Sequence, residues 1–411
     1  MAYLEKESKE KIISYVIFVF TLVIVLINLI SLVFPSLIIT LLDNSGFANE
    51  PFELGIMAIP LLVTNIAVLI FGILYYSKKL PSLVQNGINF IRNFEVSPNI
   101  ATIVFAAIIF SYIGLSMEDL SIDESKVYGD LKRIKEVVEK WPNGEGVDKS
   151  LYILHVKNFL LKSSEFLFQN LRVMPFIVSI LLLALTYFFT VELTKKRFAG
   201  LVAMMVLVQS YTFQVFDTLA TYENSWVLFY LLSLYLVMKK WFLSPISYVA
   251  SIFSKPLTAP YLPMTLFFTY LSDIPRKKKF YILISYIIIG IVGIIGLFIV
   301  GIDFGGEIAQ RGLTFDYIDF WSAFAAWSFQ LRFDNLFLLF IVPLTVTLFL
   351  ISRQGFPQAD SALVLIAGTI IAMPLLAALT GFNLHPYRYV PLVVFFAIGV
   401  GALLSKNTKL V

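Results

Sequence analysis

Three apolar runs follow one another in residues 171–237, which read LRVMPFIVSILLLALTYFFTVELTKKRFAGLVAMMVLVQSYTFQVFDTLATYENSWVLFYLLSLYLV. A basic turn at 195–197 separates the first two runs, and a turn with Asp217 and Glu223 separates the second from the third. Each run has about the 17–25 residues that an α-helix needs to cross a bilayer. The pattern predicts three consecutive membrane-spanning helices joined by short polar turns.

The composition of the whole chain indicates a membrane protein. Of the 411 residues, 59% are hydrophobic and 14% are charged, and the mean hydropathy is +0.85. Soluble domains are about a quarter charged and just under half apolar. The composition therefore excludes a soluble enzyme and a disordered chain. A net charge of +4 gives no sign of a nucleic-acid binder.

The residue inventory excludes several kinds of chemistry. The chain has no cysteine and two histidines, His155 and His385. Disulfides, thiolate nucleophiles and three-histidine zinc sites are therefore excluded, and any metal would depend on carboxylates. The chain also lacks a Walker A loop, a GxGxxG motif after a strand and an HExxH motif. ATP-driven transport by this chain alone is not expected.

Apolar segments of spanning length recur along the chain. They are residues 12–40, 54–76, 99–116, 173–193, 198–214, 223–239, 280–302, 335–352, 361–380 and 388–404. The first is too long for a signal-peptide core, so we interpret it as a transmembrane helix that is not cleaved off. The stretch 244–273 is interrupted by prolines, so it reads either as two short helices meeting near Lys255 or as a re-entrant segment.

The distribution of basic residues predicts the orientation. With both termini in the cytoplasm, six basic clusters fall on the cytoplasmic side, in agreement with the positive-inside rule. An even number of crossings within 244–273 is then required, so we predict twelve spans, or ten if the stretch is re-entrant. The expected parts are residues 1–98 with two spans, a core over 99–404 with outer loops at 117–172 and 303–334, and a tail at 405–411. The absence of glycosylation sequons and cysteine favours a prokaryotic plasma membrane.

The large outer loop 117–172 has the periodicity of two amphipathic helices. Residues 122–140 place four apolar side chains on one face: Val127, Leu131, Ile134 and Val138. Residues 150–168 place Ile153, Val156, Leu160 and Leu167 on one face, and Lys157, Ser164 and Glu165 elsewhere. The second helix is typical of one that lies on the membrane surface.

Asp123 and Glu124, just outside the third span, have two readings. A partly desolvated carboxylate there could act as a general base on an acceptor hydroxyl, since desolvation raises its pKa toward the working pH. Alternatively, Ser121 and Glu124 have the spacing of a helix capping box, and acids favour the first turn of a helix. The spacing alone favours capping, and the two roles are compatible.

Other charged residues are expected at the outer ends of spans. Asp217 and Glu223 are candidates for a second acidic site, although acids at span ends are often solvated turn residues. Lys255 and Arg388 are placed to meet a lipid phosphate, because arginine offers a bidentate fork and lysine a point charge. Their alternative role is snorkelling at the interface.

The order of these features resembles the GT-C superfamily of membrane glycosyltransferases, in particular the branch of protein O-mannosyltransferases and aminoarabinose transferases. Four pieces carry the resemblance: an outer loop that begins Asp123-Glu124, the block 171–237, the turn SKPLT at 254–258, and YRYVPLVVFFAIGVGALL at 387–404. The resemblance covers roughly residues 99–404. It implies a GT-C-like, all-α polytopic membrane fold.

The resemblance also implies an activity. A hexose or pentose would move, with inversion, from a polyprenyl- or dolichyl-phosphate donor to a protein, lipid or glycan acceptor on the extracytoplasmic face. The implied roles are catalytic base for Asp123 with Glu124 beside it, second acidic site for Asp217 or Glu223, and donor-phosphate contacts for Lys255 and Arg388. No organic cofactor is implied, and a divalent metal cation could be held by Asp123 with Asp217 or Glu223. The partners are then the lipid-linked sugar, the acceptor and membrane lipids, with no nucleic acid.

Two other functions remain open from the sequence. A transporter or lipid flippase would be expected to carry charges at mid-membrane and inverted repeats, whereas these spans have almost no mid-helix charge. A non-catalytic subunit of a membrane complex would need none of the acidic residues for chemistry. Neutralising Asp123 distinguishes the two, because a non-catalytic subunit should tolerate the change and the enzyme should not.

Overall fold

The computed structural model describes residues 2–37, 50–143, 149–300, 314–380 and 386–405, and within these ranges all regular structure is helical. The α-helices in chain order are α1 Ala2–Val33, α2 Ala58–Tyr76, α3 Ser82–Asn93, α4 Pro98–Ser116, α5 Asp130–Lys140, α6 Lys149–Tyr152, α7 His155–Phe168, α8 Val173–Thr194, α9 Arg197–Val208, α10 Tyr211–Val215, α11 Ser225–Lys239, α12 Ser244–Ser254, α13 Leu262–Leu271, α14 Arg276–Val300, α15 Tyr317–Leu331, α16 Asn335–Arg353, α17 Gln358–Thr380 and α18 Val390–Ala402. Short 3₁₀ helices cover Glu118–Ser121, Glu124–Lys126, Trp241–Leu243, Pro256–Tyr261 and Pro386–Tyr389. The predictions for 38–40, 303–313 and 406–411 lie outside the described residues.

Six of these helices are long and apolar enough to cross a membrane. Their apolar stretches are Ile12–Val33, Ala58–Tyr75, Pro98–Ser121, Val173–Thr194, Asn335–Arg353 and Gln358–Leu379. Shorter apolar helices occupy Arg197–Val208, Ser225–Lys239, Trp241–Ser254 and Tyr387–Ala402. The all-α fold with apolar helices that can span a membrane is therefore confirmed. The count of twelve spans, the outer placement of the loops and the orientation of the termini stay predictions.

The basic turn at 195–197 reverses the chain between α8 and α9. Lys195 caps α8 in the left-handed conformation, with φ 58°, and Lys196 is extended, with φ −130°. A left-handed residue is a common way to end a helix. The reversal lets α9 pack back along α8. Ser179 of α8 donates to the Asp217 carbonyl oxygen at 2.8 Å, in the segment that follows α10.

Helix α18 lies at the centre of the bundle. It packs against α8, α9, α16 and α17, and almost every one of its residues is buried. A helix that is apolar on all sides is stable only when other helices surround it. The packing is close, because a Cβ on Gly401 would lie 2.5 Å from Thr190 Cγ2 and 2.8 Å from the Ala199 carbonyl oxygen.

The proline-rich stretch 244–273 forms two helices, α12 and α13, and the choice between two short spans and a re-entrant segment stays a prediction. They meet at Lys255, which is extended, and at the 3₁₀ helix Pro256–Tyr261. Pro256 and Pro260 prevent a continuous α-helix by removing backbone donors. The break brings the Lys255 backbone to the end of the bundle where the 117–172 segment packs.

The helices of the 117–172 segment differ from the sequence prediction. The first begins only at Asp130, after the 3₁₀ turn Glu124–Lys126, so Val127 is 64% exposed while Leu131, Ile134 and Val138 are buried as predicted. The second is broken after Tyr152 and restarts at His155. Its buried side is the polar one, formed by Lys157, Asn158, Leu161 and Ser164. The predicted apolar face is half-buried or exposed, and Phe166 and Leu167 are 85% and 60% exposed.

The close packing of α18 predicts a glycine-specific loss of stability. Gly401→Val should lower the free energy of unfolding by about 1–3 kcal/mol, because the new side chain meets backbone of α9 that cannot move aside. Gly114→Val is the matched control, since nothing lies within 4 Å of a Cβ at that position in α4. Thermal unfolding of both variants in detergent, followed by tryptophan fluorescence, measures the difference. Equal midpoints for the two variants would contradict this packing.

Candidate functional site

A densely buried polar part of the described fold is the segment 216–224, FDTLATYEN, between α10 and α11. We call this segment the acidic turn. All of its residues are buried except Tyr222, which is half-buried, and Asp217 and Glu223 are only 0% and 2% exposed. The predicted alternative of solvated turn residues is therefore wrong for both acids. A buried carboxylate needs polar partners, and these partners define the site.

Glu124 and Arg172 hold the acidic turn in place. The Glu124 carboxylate accepts hydrogen bonds from the backbone N–H groups of Ala220 at 2.9 Å and Thr221 at 2.8 Å. Arg172 donates to the carbonyl and the hydroxyl of Thr218, at 3.2 and 2.7 Å. The two charged groups lie 3.8 Å apart, between Arg172 Nε and Glu124 Oε2. Together they attach the 117–128 loop and the start of α8 to the turn.

This clamp overturns the capping-box prediction for Glu124. The Ser121 hydroxyl donates to the Glu118 carbonyl instead of capping a helix, and the Glu124 carboxylate is occupied by the acidic turn. The capping role falls to Asp123, which accepts from the Ser125 backbone N–H and begins the 3₁₀ helix. Long-range partners such as those of Glu124 leave no local pattern in a sequence.

Asp123 is exposed and lies outside the buried cluster. Its Oδ1 accepts two hydrogen bonds from Ser125, at 3.1 Å from the backbone N–H and 2.6 Å from the hydroxyl. These bonds lower the pKa of Asp123 below its ordinary value. A lowered pKa makes a carboxylate a weaker base. The role of Asp123 in catalysis stays a prediction.

Asp217 has the environment expected of a carboxylate whose pKa is shifted toward neutral pH. Its Oδ2 accepts hydrogen bonds from the Tyr112 hydroxyl at 2.8 Å and the Ser116 hydroxyl at 2.6 Å, both on α4. Within the described ranges, its Oδ1 has no hydrogen-bond partner. Burial raises the pKa of Asp217 to about 6, against the opposing effect of the two hydroxyl groups. A base is most effective when its pKa is near the working pH.

Three cationic side chains gather beside the acidic turn, and we call Lys157, Lys255 and Arg388 the cation cluster. Lys255 Nζ lies 3.8 Å from the centroid of the Tyr387 ring, and Arg388 Nε donates to the Tyr387 hydroxyl at 3.4 Å. Lys157 Nζ donates to the Thr221 carbonyl at 2.7 Å. Burial, with a smaller contribution from repulsion by Lys255, lowers the pKa of Lys157 to about 8. The same Tyr387 ring stacks on Tyr222 of the acidic turn, with centroids 4.4 Å apart.

The two lysines of the cation cluster are short of compensating negative charge. Among the described residues, no carboxylate lies within 4 Å of Lys157 or Lys255. Glu223 is near enough to oppose the lowering of the Lys157 pKa, and its Oε2 accepts from the Ser225 backbone N–H at 2.5 Å. Buried charges are normally paired. A site of this kind therefore favours an anionic ligand.

Several buried polar atoms close to the acidic turn also lack a protein partner among the described residues. They are Asp217 Oδ1, Thr221 Oγ1, Glu223 Oε1, Asn224 Oδ1, Ser225 Oγ, Trp226 Nε1 and Tyr261 Oη. Buried polar atoms nearly always have a hydrogen-bond partner. Their concentration in and beside one turn indicates that a polar ligand or water completes this region.

The structure brings together some of the residues that the sequence nominates. Lys255 and Arg388 share contacts with Tyr387, whose stacking partner Tyr222 precedes Glu223 in the acidic turn. Asp123 stands apart, and Glu124 is a structural clamp. The sequence alone does not nominate Lys157, although it carries one signal: this lysine lies on the polar side of a helix whose opposite side is rich in phenylalanine and leucine.

The divalent cation that Asp123 could hold with Asp217 or Glu223 has no cluster of further ligands among the described residues. In the part of the chain that the structure covers, no group of three or more His, Asp or Glu side chains could hold a metal ion. The exposed Asp123 and the buried Asp217 have separate partners. These residues do not fit the divalent cation implied by the resemblance, so no step is assigned to one.

Comparisons with known proteins give no identification. No family model, curated protein or solved structure matches the chain. Function therefore has to be inferred from the geometry of the acidic turn and the cation cluster.

The clamp predicts that adjacent acids have different effects on stability. Glu124→Ala should cost about 3–5 kcal/mol of unfolding free energy, because it leaves the buried Arg172 charge without a carboxylate beside it and frees two backbone donors. Asp123→Ala should cost less than about 1 kcal/mol, since it removes one exposed cap. Unfolding by SDS in mixed micelles measures both. Comparable losses would contradict the assignment of Glu124 as the clamp.

Proposed function

We propose that the chain is a membrane glycosyltransferase, which moves a sugar from a polyprenyl- or dolichyl-phosphate donor to an acceptor hydroxyl. The reaction takes place at the membrane face formed by the acidic turn and the 117–172 segment, the predicted extracytoplasmic face. One observation carries the proposal: Lys157, Lys255 and Arg388 converge beside the acidic turn with no carboxylate within 4 Å of either lysine among the described residues.

A phosphate is the ligand that this cluster suits best. Arginine and lysine bind phosphate through charge-assisted hydrogen bonds, and a bound phosphate would offset the mutual repulsion of Lys157 and Lys255. The cluster lies at the ends of apolar helices, so the phosphate would reach it attached to a lipid. The lack of a nucleotide motif in the sequence agrees with a donor activated by lipid phosphate.

The acceptor proton is assigned to Asp217. The acceptor hydroxyl would give its proton to Asp217 Oδ1 while its oxygen forms a bond to C1 of the sugar. The bond between C1 and the phosphate oxygen breaks on the opposite face, so the configuration inverts. The negative charge that develops on the leaving lipid phosphate is stabilised by the cation cluster, a preorganised electrostatic effect.

The direct test is transfer of labelled sugar by purified protein in nanodiscs, with a panel of polyprenyl- and dolichyl-phosphate sugars and membrane extract as acceptor. Wild type should label an acceptor, and Lys255→Ala should lower kcat/KM for the donor by about a hundredfold or more. Lys240→Ala, an exposed lysine at the end of α11, is the matched control. No transfer from any donor by folded protein would contradict the proposal and favour a non-catalytic subunit.

The same assay identifies the base. Asp217→Asn should abolish transfer in folded protein, whereas Asp123→Asn should leave most of it. Loss of transfer in Asp123→Asn with transfer retained in Asp217→Asn would return the base to Asp123. Loss only in Glu223→Gln would place it on the other acid of the turn.

The pKa values predict a bell-shaped dependence of kcat/KM on pH. The rate should rise with pH through about 6, because Asp217 must lose its proton before it can accept another. It should fall through about 8, because Lys157 must keep its proton to bind the phosphate. Lys157→Arg should remove the fall in kcat/KM at alkaline pH, since arginine stays charged. If the fall near pH 8 were unchanged in Lys157→Arg, the role of Lys157 would be contradicted. If the rise occurred in the pH range where an ordinary aspartate titrates, the role of Asp217 would be contradicted.

A further inference from the structure

Helix α3 exposes an apolar face that no part of the described protein covers. None of its residues is buried, and Leu83, Phe90 and Ile91 are 84%, 67% and 51% exposed. With 100° per residue, Leu83 and Phe90 fall on one side of the helix, and Ser82 and Asn89 fall on the other. A water-exposed face of this composition is unfavourable, so some apolar surface must cover it.

The neighbours of α3 place it at the edge of the bilayer. It is joined by short connections, residues 77–81 and 94–97, to α2 and α4, which are both candidate spans. Only 17% of the α2 span and 22% of the α4 span are buried against the rest of the protein. The described part of the chain therefore leaves most of both apolar helices uncovered, as expected for helices that lipid surrounds.

The C-terminal end of α3 is attached to the bundle, which fixes the position of the helix along the membrane normal. Lys196 Nζ donates to the carbonyl oxygens of Arg92 and Phe94. The Phe94 ring packs edge-on against Phe198 of α9, with centroids 4.9 Å apart. The contacts leave the face with Leu83 and Phe90 uncovered and hold it beside the lipid-facing sides of α2 and α4.

Cationic side chains lie within α3 and in the turn that precedes it. Lys78 and Lys79 are exposed in the turn before α3. Arg92 donates to the Tyr75 hydroxyl at 3.2 Å, at the end of α2. Basic residues on the polar side of an interfacial helix are attracted to anionic lipid headgroups.

We propose that α3 is a lipid-binding helix that lies flat in the membrane boundary. Its apolar face enters the acyl region, and Lys78, Lys79 and Arg92 contact anionic headgroups of the adjacent leaflet. The inference is independent of the proposed enzymatic activity, and its test needs neither a sugar donor nor turnover.

The absence of cysteine makes the test simple, because single cysteines can be introduced without background. Two sequence-adjacent pairs are compared: Leu83→Cys with Ser82→Cys, and Phe90→Cys with Asn89→Cys. Each is labelled with an environment-sensitive fluorophore in nanodiscs. Lipids with a spin label near the headgroup end of the acyl chain should quench the labels at 83 and 90 at least twofold more than those at 82 and 89, and iodide should do the reverse.

Equal quenching by lipid on both faces, or iodide quenching at 83 and 90, would overturn the proposal. Protection of 83 and 90 from both quenchers would also overturn it, by showing that protein covers the face. A label at Ile103, on the exposed side of α4, is the positive control for lipid contact.

The headgroup preference has its own measurement in the same variants. Quenching at 83 by spin-labelled phosphatidylglycerol should exceed that by phosphatidylcholine by at least twofold, within the roughly fivefold expected for each cation near the surface. Lys78→Gln with Lys79→Gln should reduce the ratio toward one, and Lys132→Gln with Lys135→Gln, two exposed lysines of α5, should not. A ratio of one in the parent variant would overturn the headgroup assignment.

Discussion

The buried charge around the acidic turn is the constraint on which the rest of this end of the molecule depends. Removing a carboxylate or an arginine from water costs several kcal/mol unless it finds close partners. Glu124 and Arg172 find theirs in the backbone and the hydroxyl group of the acidic turn. The loop after α4, the start of α8 and the turn before α11 therefore have to be placed together. The position of Asp217, within hydrogen-bonding distance of Tyr112 and Ser116, follows from that placement.

The acids and the cations beside the turn are satisfied to different degrees. Glu124 has both oxygens occupied, whereas Glu223 and Asp217 each have one oxygen without a partner in the described part of the chain. Lys157 and Lys255 lie close enough to repel each other. Structural charges are expected to be fully compensated, as Glu124 is. Incomplete compensation at Asp217, Glu223 and the two lysines, Lys157 and Lys255, separates the proposed chemical groups from the clamp.

The sequence predicts the fold class well, because apolar runs of spanning length depend on local composition alone. It also predicts the break at Lys255, since prolines limit helices locally. It does not predict which acid is a clamp, because the partners of Glu124 are backbone groups about one hundred residues later in the chain. Helix α7 shows the same limit: its amphipathic pattern is correct, but its polar side is the buried one. Lys157 becomes a site residue only when α7 packs that side against the acidic turn.

The central claim is that the cation cluster binds a lipid-linked phosphate, and equilibrium binding of a polyprenyl monophosphate tests it without catalysis. The measurement compares this lipid with the corresponding polyprenol, which lacks the phosphate, on purified protein in detergent. We expect wild type to prefer the phosphate by tenfold or more, Lys255→Ala to lose the preference, and Lys240→Ala to keep it. Equal affinity for the two lipids, or an unchanged preference in Lys255→Ala, would contradict the claim.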